Sequence, residues 1–399
     1  MSAWLAVIGI GEEGWDGLSA VARGLIEGAE LVVGGERHLA LIPSVSGESL
    51  AWRSPLADTL PAIERWRGRP VVVLASGDPL CYGVGALLAR RFVPEEMIVL
   101  PSPSAFSLAA ARLLWPLESC VCVSLHSRPI EKLRLHLAPG VRLLALSEDG
   151  ATPAKVARLL CQLGWEKSSL TVLEHLGGAR ERRIDAMAAA WQDERVADLN
   201  IVAIDCRAGP SARPLSQQAG LPDDAFRHDG QITKRALRAA TLSALAPLSG
   251  QLLWDIGAGS GSVAIEWLRS GRGMKAIAIE RMAARAAFIA ENAATLGVPE
   301  IEIIRAAAPA ALARLPEPDA IFIGGGVSDG VIWDAAWRAL KPGGRLVANA
   351  VTLQGEAELM RHHEAQGGDL TRIAIAQVED RRFWRQAMPV TQLALIKPR

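Results

Sequence analysis

Asp255 stands near the end of the apolar run Leu252-Leu-Trp-Asp-Ile256, and Gly257, Gly259 and Gly261 follow it at alternate positions. Glycines so spaced let a backbone approach a bound nucleoside closely, and a helix that starts near Val263 offers its N-terminal N–H groups to the same ligand. A glycine-rich strand-to-helix turn also serves dinucleotides, but that fingerprint requires GxGxxG, and Ser262 follows Gly261 here. The DxGxGxG spacing, with Ala258 and Ser260 between the glycines, favours S-adenosyl-L-methionine. The next apolar run, Ala276-Ile-Ala-Ile-Glu280, ends in a carboxylate that can accept both hydroxyls of a ribose. The alternative for Glu280 is a solvated helix N-terminus, because the residues from Arg281 onward read as a helix.

A second glycine pattern lies near the start, where Val7-Ile-Gly-Ile-Gly-Glu-Glu-Gly14 contains a literal GxGxxG after a strand. Its dinucleotide reading lacks a second support, since the next strand, Glu30-Leu-Val-Val-Gly-Gly35, ends in glycines instead of an acid. A turn-forming Gly77-Asp78-Pro79 closes the strand RPVVVLAS, and Asp78 there either borders a ligand or satisfies its own backbone. His126, at another strand end, reads equally as a substrate contact or as a structural histidine.

Several polar groups are candidates for catalysis or substrate binding. Lys234, Arg235 and Arg238, and Arg381, Arg382 and Arg385 beside Trp384, offer cations to a polycarboxylate, against the alternative of a salt-bridged surface. Asn349, at the end of GRLVANAV, either bonds a substrate or caps a turn. His362 and His363 fall on an amphipathic helix and read as surface residues, and no His, Cys or carboxylate spacing suggests a metal.

The elements that position these groups are α/β throughout. From Ala3 to Asp205, short β-branched runs (LAVIGIG, RPVVVLAS, MIVL, CVCVSL, RLLAL, LTVLE, LNIVAID) alternate with helical stretches. The segment CRAGPSARPLSQQAGLPDD has three prolines, two glycines and no apolar period, which is linker composition. A helix from about Ile232 to Ala246 and seven strands follow: LLWDIG, KAIAIE, IEIIR, DAIFIG, GRLVANAV, LTRIAIAQV and TQLALIK. That order suits a doubly wound sheet, so the expected domains are 1–208 and 215–399 with a linker at 209–214. A length of 399 residues agrees with two cores.

Composition excludes other classes. Lys plus Arg number 43 and Asp plus Glu 43, so no net field draws in nucleic acid or a membrane surface. The first residues lack a basic n-region and their apolar run is broken by Glu12 and Glu13, so no signal peptide is expected. No uncharged apolar stretch reaches the roughly 18 residues of a membrane span. Five scattered cysteines without a CxxC pair read as buried thiols of a cytoplasmic protein.

Residues 215–397 resemble the decarboxylating C15-methyltransferases of corrin synthesis, through LPDDAF, GQITKRALR, DIGAGSGS, AAAPAAL, FIGGG, KPGGRLVANAVTL and LALIKP. The resemblance implies a Rossmann-like methyltransferase fold in which Thr233 lies over S-adenosyl-L-methionine and Gly257–Gly261, Glu280, Ala307 and Ala308 line its pocket. In that family an acid often precedes the Ala-Pro pair and would hold the adenine amino group; here Ala307 stands there. The first half resembles the tetrapyrrole methylases, and most their precorrin C5-methylating branch, through GIGEEG, ASGDPLCYG, PSPSAFSLAAARL, SLHSRP and LEHLGGARERR. That resemblance implies a two-subdomain fold with S-adenosyl-L-methionine between the subdomains, Ile10 and Gly11 facing a substrate trough, and Gly77, Asp78, Tyr82, Ser104 and Ala105 bordering the donor.

The joining of the two in this order is similar to the fused methylases of corrin synthesis. It implies two methyl transfers, to C5 and C15 of precorrin-6B, with loss of the ring C acetate carboxyl to give precorrin-8X, one donor per domain, a tetrapyrrole as the only partner besides further copies in a homo-oligomer, and a cytoplasmic location. The remaining alternatives are a dinucleotide-dependent oxidoreductase, a tetrapyrrole-binding protein with one catalytic half, and an RNA methyltransferase, which the charge balance disfavours.

Overall fold

The computed structural model describes residues 3–379 and 382–399, so Arg381 lies outside the described residues. By its own contacts the chain divides into one unit of Met1–Ile130 with Ala138–Arg213 and a second of Glu131–Leu137 with Pro214–Arg399.

The first unit contains two five-stranded sheets. β1 (Leu5–Ile10), β2 (Leu31–Gly34), β3 (Glu48–Ala51), β4 (Val71–Ser76) and β5 (Met97–Leu100) pair in parallel in the order β3-β2-β4-β1-β5. The central strands are continuous apolar runs because both faces are covered: Ala6, Ile8, Ile10, Val72 and Leu74 enter one core, and Leu5, Val7, Val71 and Val73 the other. β3, Glu48-Ser-Leu-Ala51, is a largely exposed edge strand with no apolar run, which is why the sequence did not announce it.

β6 (Cys120–Ser124), β7 (Arg142–Leu146), β8 (Ser169–Glu174), β9 (Arg182–Met187) and β10 (Asn200–Asp205) form the other sheet, ordered β6-β7-β10-β8-β9. Only β6 and β7 run parallel; the other pairs are antiparallel. β9 also escaped the sequence reading, being an edge strand whose charges are spent on ion pairs such as Arg183–Asp185 at 2.7 Å and Arg182–Glu174 at 2.5 Å.

The second unit is built on a seven-stranded sheet of β11 (Leu252–Ile256), β12 (Lys275–Ile279), β13 (Glu302–Ile304), β14 (Ala320–Ile323), β15 (Arg345–Ala350), β16 (Asp369–Ile373) and a last strand, Val390–Ile396. Between those last two, β17 (Ala376–Glu379) and β18 (Phe383–Gln386) make a separate hairpin, so the final strand is β19. The order is β13-β12-β11-β14-β15-β19-β16, parallel except that β19 runs against both its neighbours. The apolar run LTRIAIAQV, expected as one strand, is therefore two: it leaves the sheet after Ile373, and the Ala387 N–H donates to the Ile375 carbonyl at 2.9 Å to close the hairpin. The order reverses between β11 and β14, and the crevice above such a reversal is where open α/β sheets bind ligands.

Three readings of exposure are corrected. Arg238 is 0 % exposed and cannot clamp a substrate, since it pairs with Glu266 at 2.6 Å and Asp223 at 3.1 Å and also donates to the carbonyls of Thr233 and Leu221. His362 is buried, its ring stacked on Trp333 at a centroid distance of 3.8 Å, and His363 donates through Nδ1 to the Gly367 carbonyl at 3.2 Å. Of the cysteines only Cys206 is buried, and burial pushes its thiol up to about 12; Cys161 is exposed.

Candidate functional site

In the second unit, Gly257, Gly259 and Gly261 all adopt left-handed backbone angles, with φ of 73°, 60° and 76°. A Cβ on Gly261 would lie 2.8 Å from Cγ2 of Ile289, whereas one on Gly259 would meet nothing closer than the Gln231 carbonyl at 4.0 Å. The first glycine-to-helix junction is thus a packing constraint and the other an open face. The N–H groups of Gly257 and Ala258 both donate to the Ile279 carbonyl, at 3.0 and 3.1 Å, folding the loop over the end of β12.

Glu280, at that end, is buried and accepts from the N–H of Gly259 at 2.9 Å through one oxygen and from the N–H of Met282 at 2.8 Å through the other. Its carboxylate is fixed in orientation while each oxygen keeps a lone pair. Asp255 lies behind the loop: one oxygen accepts from the Ala264 N–H at 3.1 Å and the other is buried without a partner. Burial pushes its carboxyl up to about 7, with Glu280 adding to the rise and the Ala264 N–H opposing it.

A segment before the first helix lies over this loop. Asn292 receives the Arg227 N–H at 2.7 Å and donates to the carbonyls of Arg227 and Ser260, both at 2.9 Å. Arg285 donates to Asp229 at 2.8 Å and to Gln231 at 2.7 Å, and its guanidinium holds the Asp229 carboxyl below the usual carboxylate range. These bonds place Gln231, Ile232 and Thr233 over one wall of a cavity of about 780 Å³.

That cavity is lined by Thr233, Gly257, Ala258, Gly259, Ser260, Glu280, Ala307, Ala308 and Asn349 among the residues singled out from the sequence. Asp255, Gly261 and Lys234 do not line it. Asp255 and Gly261 instead shape the loop from behind, and Lys234 is the exposed residue preceding the helix Arg235–Leu245. Arg382 is exposed beside the β17–β18 hairpin and is also absent from the lining. Sequence reasoning gave no site role to Arg285 or Asn292, which no local pattern marks, nor to Gly324–Gly326, whose triple glycine in FIGGG was the available signal.

The cavity fits S-adenosyl-L-methionine on its own geometry. Gly257 and Gly259 remove side chains where a nucleoside would lie, Glu280 presents oriented acceptors, the buried Ser260 hydroxyl has no partner, and Ala306–Ala308 leave space without an acid. Beyond β14 the walls turn apolar, with Leu237, Phe322, Ile332, Val351 and Val390.

In the first unit the ends of β1, β4 and β5 are laced together. The Gly77 N–H donates to the Ile10 carbonyl at 3.1 Å, the Ser102 N–H to the Gly77 carbonyl at 3.2 Å, and the Ser102 hydroxyl to the Gly9 carbonyl at 2.8 Å. A Cβ on Gly9 would sit 1.8 Å from the Gly77 carbonyl oxygen, which explains the glycine. The Ile10 side chain is 1 % exposed and enters the core, so only its backbone, with Gly11, is at the strand end; this corrects the expectation that it faces a trough. Asp78 accepts from the Leu80 N–H at 2.9 Å, the turn arrangement that was its alternative reading. Tyr82, with φ of 58°, donates to the Cys122 carbonyl at 3.3 Å beneath the Arg128 guanidinium, and Ser104 caps the helix that starts at Ala105 by accepting from the Ser107 N–H. His126 is exposed, 3.5 Å from Glu148.

At the same edge Glu12, in the glycine-rich turn after β1, is held between Arg37 and His175, the latter at 3.0 Å. Arg37 and His38 both reach the Ser76 hydroxyl at 2.8 Å, and burial, aided by Arg37, pushes the His38 imidazole down to about 4. None of this cluster was singled out from the sequence, because its members come from four separate segments.

Comparison with known proteins agrees with this two-part architecture. A family model described as tetrapyrrole (corrin/porphyrin) methylases matches residues 5–190, and one described as a precorrin methyltransferase domain matches residues 224–397. The precorrin-6Y C(5,15)-methyltransferase [decarboxylating] of a Sinorhizobium species is 52 % identical over 401 residues, covering 100 % of this chain and 97 % of the relative. The protein of the same name from Mycobacterium tuberculosis strain CDC 1551 is 40 % identical over 403 residues, covering 98 % of this chain and all of that one. The crystal structure of the C-terminal domain of precorrin-6Y C5,15-methyltransferase from Rhodobacter capsulatus is 48 % identical, covering 46 % of this chain and 100 % of that chain, with a TM-score of 0.43. With more than half of its residues shared along its whole length with the first of these relatives, the chain belongs to the family of decarboxylating precorrin-6Y C(5,15)-methyltransferases.

Proposed function

We propose that the two units divide two methyl transfers between them: the first methylates C5 of precorrin-6B, and the second methylates C15 and removes the ring C acetate carboxyl, giving precorrin-8X in cobalamin synthesis. Each unit takes one S-adenosyl-L-methionine. The observation that carries this reading is the cavity at the strand reversal of the second unit, where the Gly257–Gly261 loop, Glu280 and Ala307 occupy one half and Asn349, Val351 and Val390 extend it past the space a nucleoside needs.

S-adenosyl-L-methionine supplies an electrophilic methyl group at a sulfonium centre. The chain's own residues bind and align. Glu280 grips the ribose through its two fixed oxygens, the glycine loop admits the nucleoside to backbone contact, and Gln231–Thr233 cover it. The apolar walls exclude water from the methyl and from the attacking carbon. That carbon is already electron-rich through the pyrrole nitrogens, so alignment supplies most of what the transfer needs, and no strong base is required. The unpaired cysteines support a cytoplasmic location, and the exposed Phe383, Trp384 and Met388 support assembly into a homo-oligomer.

Mass spectrometry of the whole chain incubated with precorrin-6B and S-adenosyl-L-methionine tests the reading. Gain of two methyl groups with loss of one carbon dioxide is expected; unchanged substrate would overturn it.

A further inference from the structure

We propose that Asn349 is the side-chain donor that meets the substrate during decarboxylation, with Thr241 and Gln392 as its positioning residues; this rests on the reading of the second unit as the C15-methylating, decarboxylating half. Asn349 is the next-to-last residue of β15, at the edge of the sheet that faces the cavity. Gln392 stands directly opposite it on β19. The Gln392 amide donates to the Asn349 carbonyl at 2.9 Å and to the Thr241 hydroxyl at 3.2 Å, and the Asn349 amide donates to the same hydroxyl at 3.0 Å.

Thr241 and Gln392 are 0 % and 5 % exposed, and their neighbours along the strands, Ala348, Ala350, Leu393 and Leu395, are apolar core. A buried polar triangle drawn from a helix and two strands specifies an orientation that apolar residues would not. Its bonds fix both ends of the Asn349 amide and use one of its two N–H hydrogens. The other is left for the cavity, among apolar walls that make a hydrogen bond stronger than in water.

The step balances with a neutral donor. The bond from the acetate methylene to its carboxylate breaks, carbon dioxide leaves, and the bonding pair passes into the conjugated ring toward an imine nitrogen. Asn349 donates a hydrogen bond to that nitrogen as negative charge develops there, without giving up its proton. The pair then returns from the conjugated system to the methylene carbon to form a C–H bond with a proton taken from solvent, leaving a methyl group and restoring the imine.

The test measures carbon dioxide release from precorrin-6B (kcat and KM), and S-adenosylhomocysteine binding by calorimetry, in the full-length chain. Asn349→Ala lowers kcat for carbon dioxide release by about 100-fold, the cost of losing one preorganised donor. Asn349→Asp, which keeps the shape and the acceptor but loses the donor, falls as far. Thr241→Val and Gln392→Leu each lower kcat about tenfold, one hydrogen bond's worth of positioning, with KM unchanged. All four bind S-adenosylhomocysteine as the wild type does. Wild-type kcat in Asn349→Asp, or a loss confined to S-adenosylhomocysteine binding, overturns the proposal. Failure of the underlying reading looks different: the wild type itself would release no carbon dioxide.

Discussion

Gly259 and Gly261 lie two positions apart in one loop, yet replacing each by alanine should separate stability from binding. Both hold left-handed angles, which costs an alanine about 1–2 kcal/mol. At Gly261 the new methyl also lies 2.8 Å from Cγ2 and 3.2 Å from Cγ1 of Ile289, a fully buried residue that has no room to retreat. Overpacking of that kind adds about 1–3 kcal/mol, so Gly261→Ala should destabilise the second unit by about 2–5 kcal/mol in total. Gly259→Ala carries only the backbone cost, but its methyl enters the cavity where the backbone meets the nucleoside, and S-adenosylhomocysteine binding should weaken about tenfold. Urea titration read by pulse proteolysis, with fragments assigned to each unit, gives the stabilities, and calorimetry gives the affinities. Equal stability losses in the two variants, or wild-type affinity in Gly259→Ala, would refute the division of the loop into a packed glycine and a ligand-facing one.

Other consequences follow from the same geometry. Arg238→Ala leaves Glu266 buried without its cation and should cost the second unit about 3–5 kcal/mol in a urea titration. Ala307→Asp restores an acid where the adenine amino group is expected and should tighten S-adenosylhomocysteine binding about tenfold by calorimetry. Asp255 has a folded pKa of about 7 against 3.8 for the free group, so its proton favours the folded state fully below 3.8 and is lost as pH rises through 7. Stability of the second unit should therefore decline across that window, by about 1.4 kcal/mol per pH unit at most, and Asp255→Asn should remove the slope.

What the sequence disclosed follows burial. The central strands of both parallel sheets are covered on both faces and read as unbroken apolar runs, whereas β3 and β9 are edge strands whose exposed faces carry no such run. LTRIAIAQV merged two strands because composition does not show a chain leaving one sheet for a hairpin. The glycine loop and Glu280 were legible because they are local in the chain. The Asn349 network was not, since its bonds to Thr241 and Gln392 span 108 and 43 positions. Arg238 looked like a surface cation because its buried partner, Glu266, lies 28 residues away on another helix. His362 was misjudged for the same reason, its ring being covered by Trp333 from a different helix.

The central claim is one S-adenosyl-L-methionine site in each unit, and calorimetric titration of the full-length chain with S-adenosylhomocysteine tests it most directly when run beside Gly259→Arg, whose side chain should fill the second unit's cavity from a position with free space around it. Two sites in the wild type and one in the variant are expected. A single site in the wild type, or two in the variant, would contradict the account.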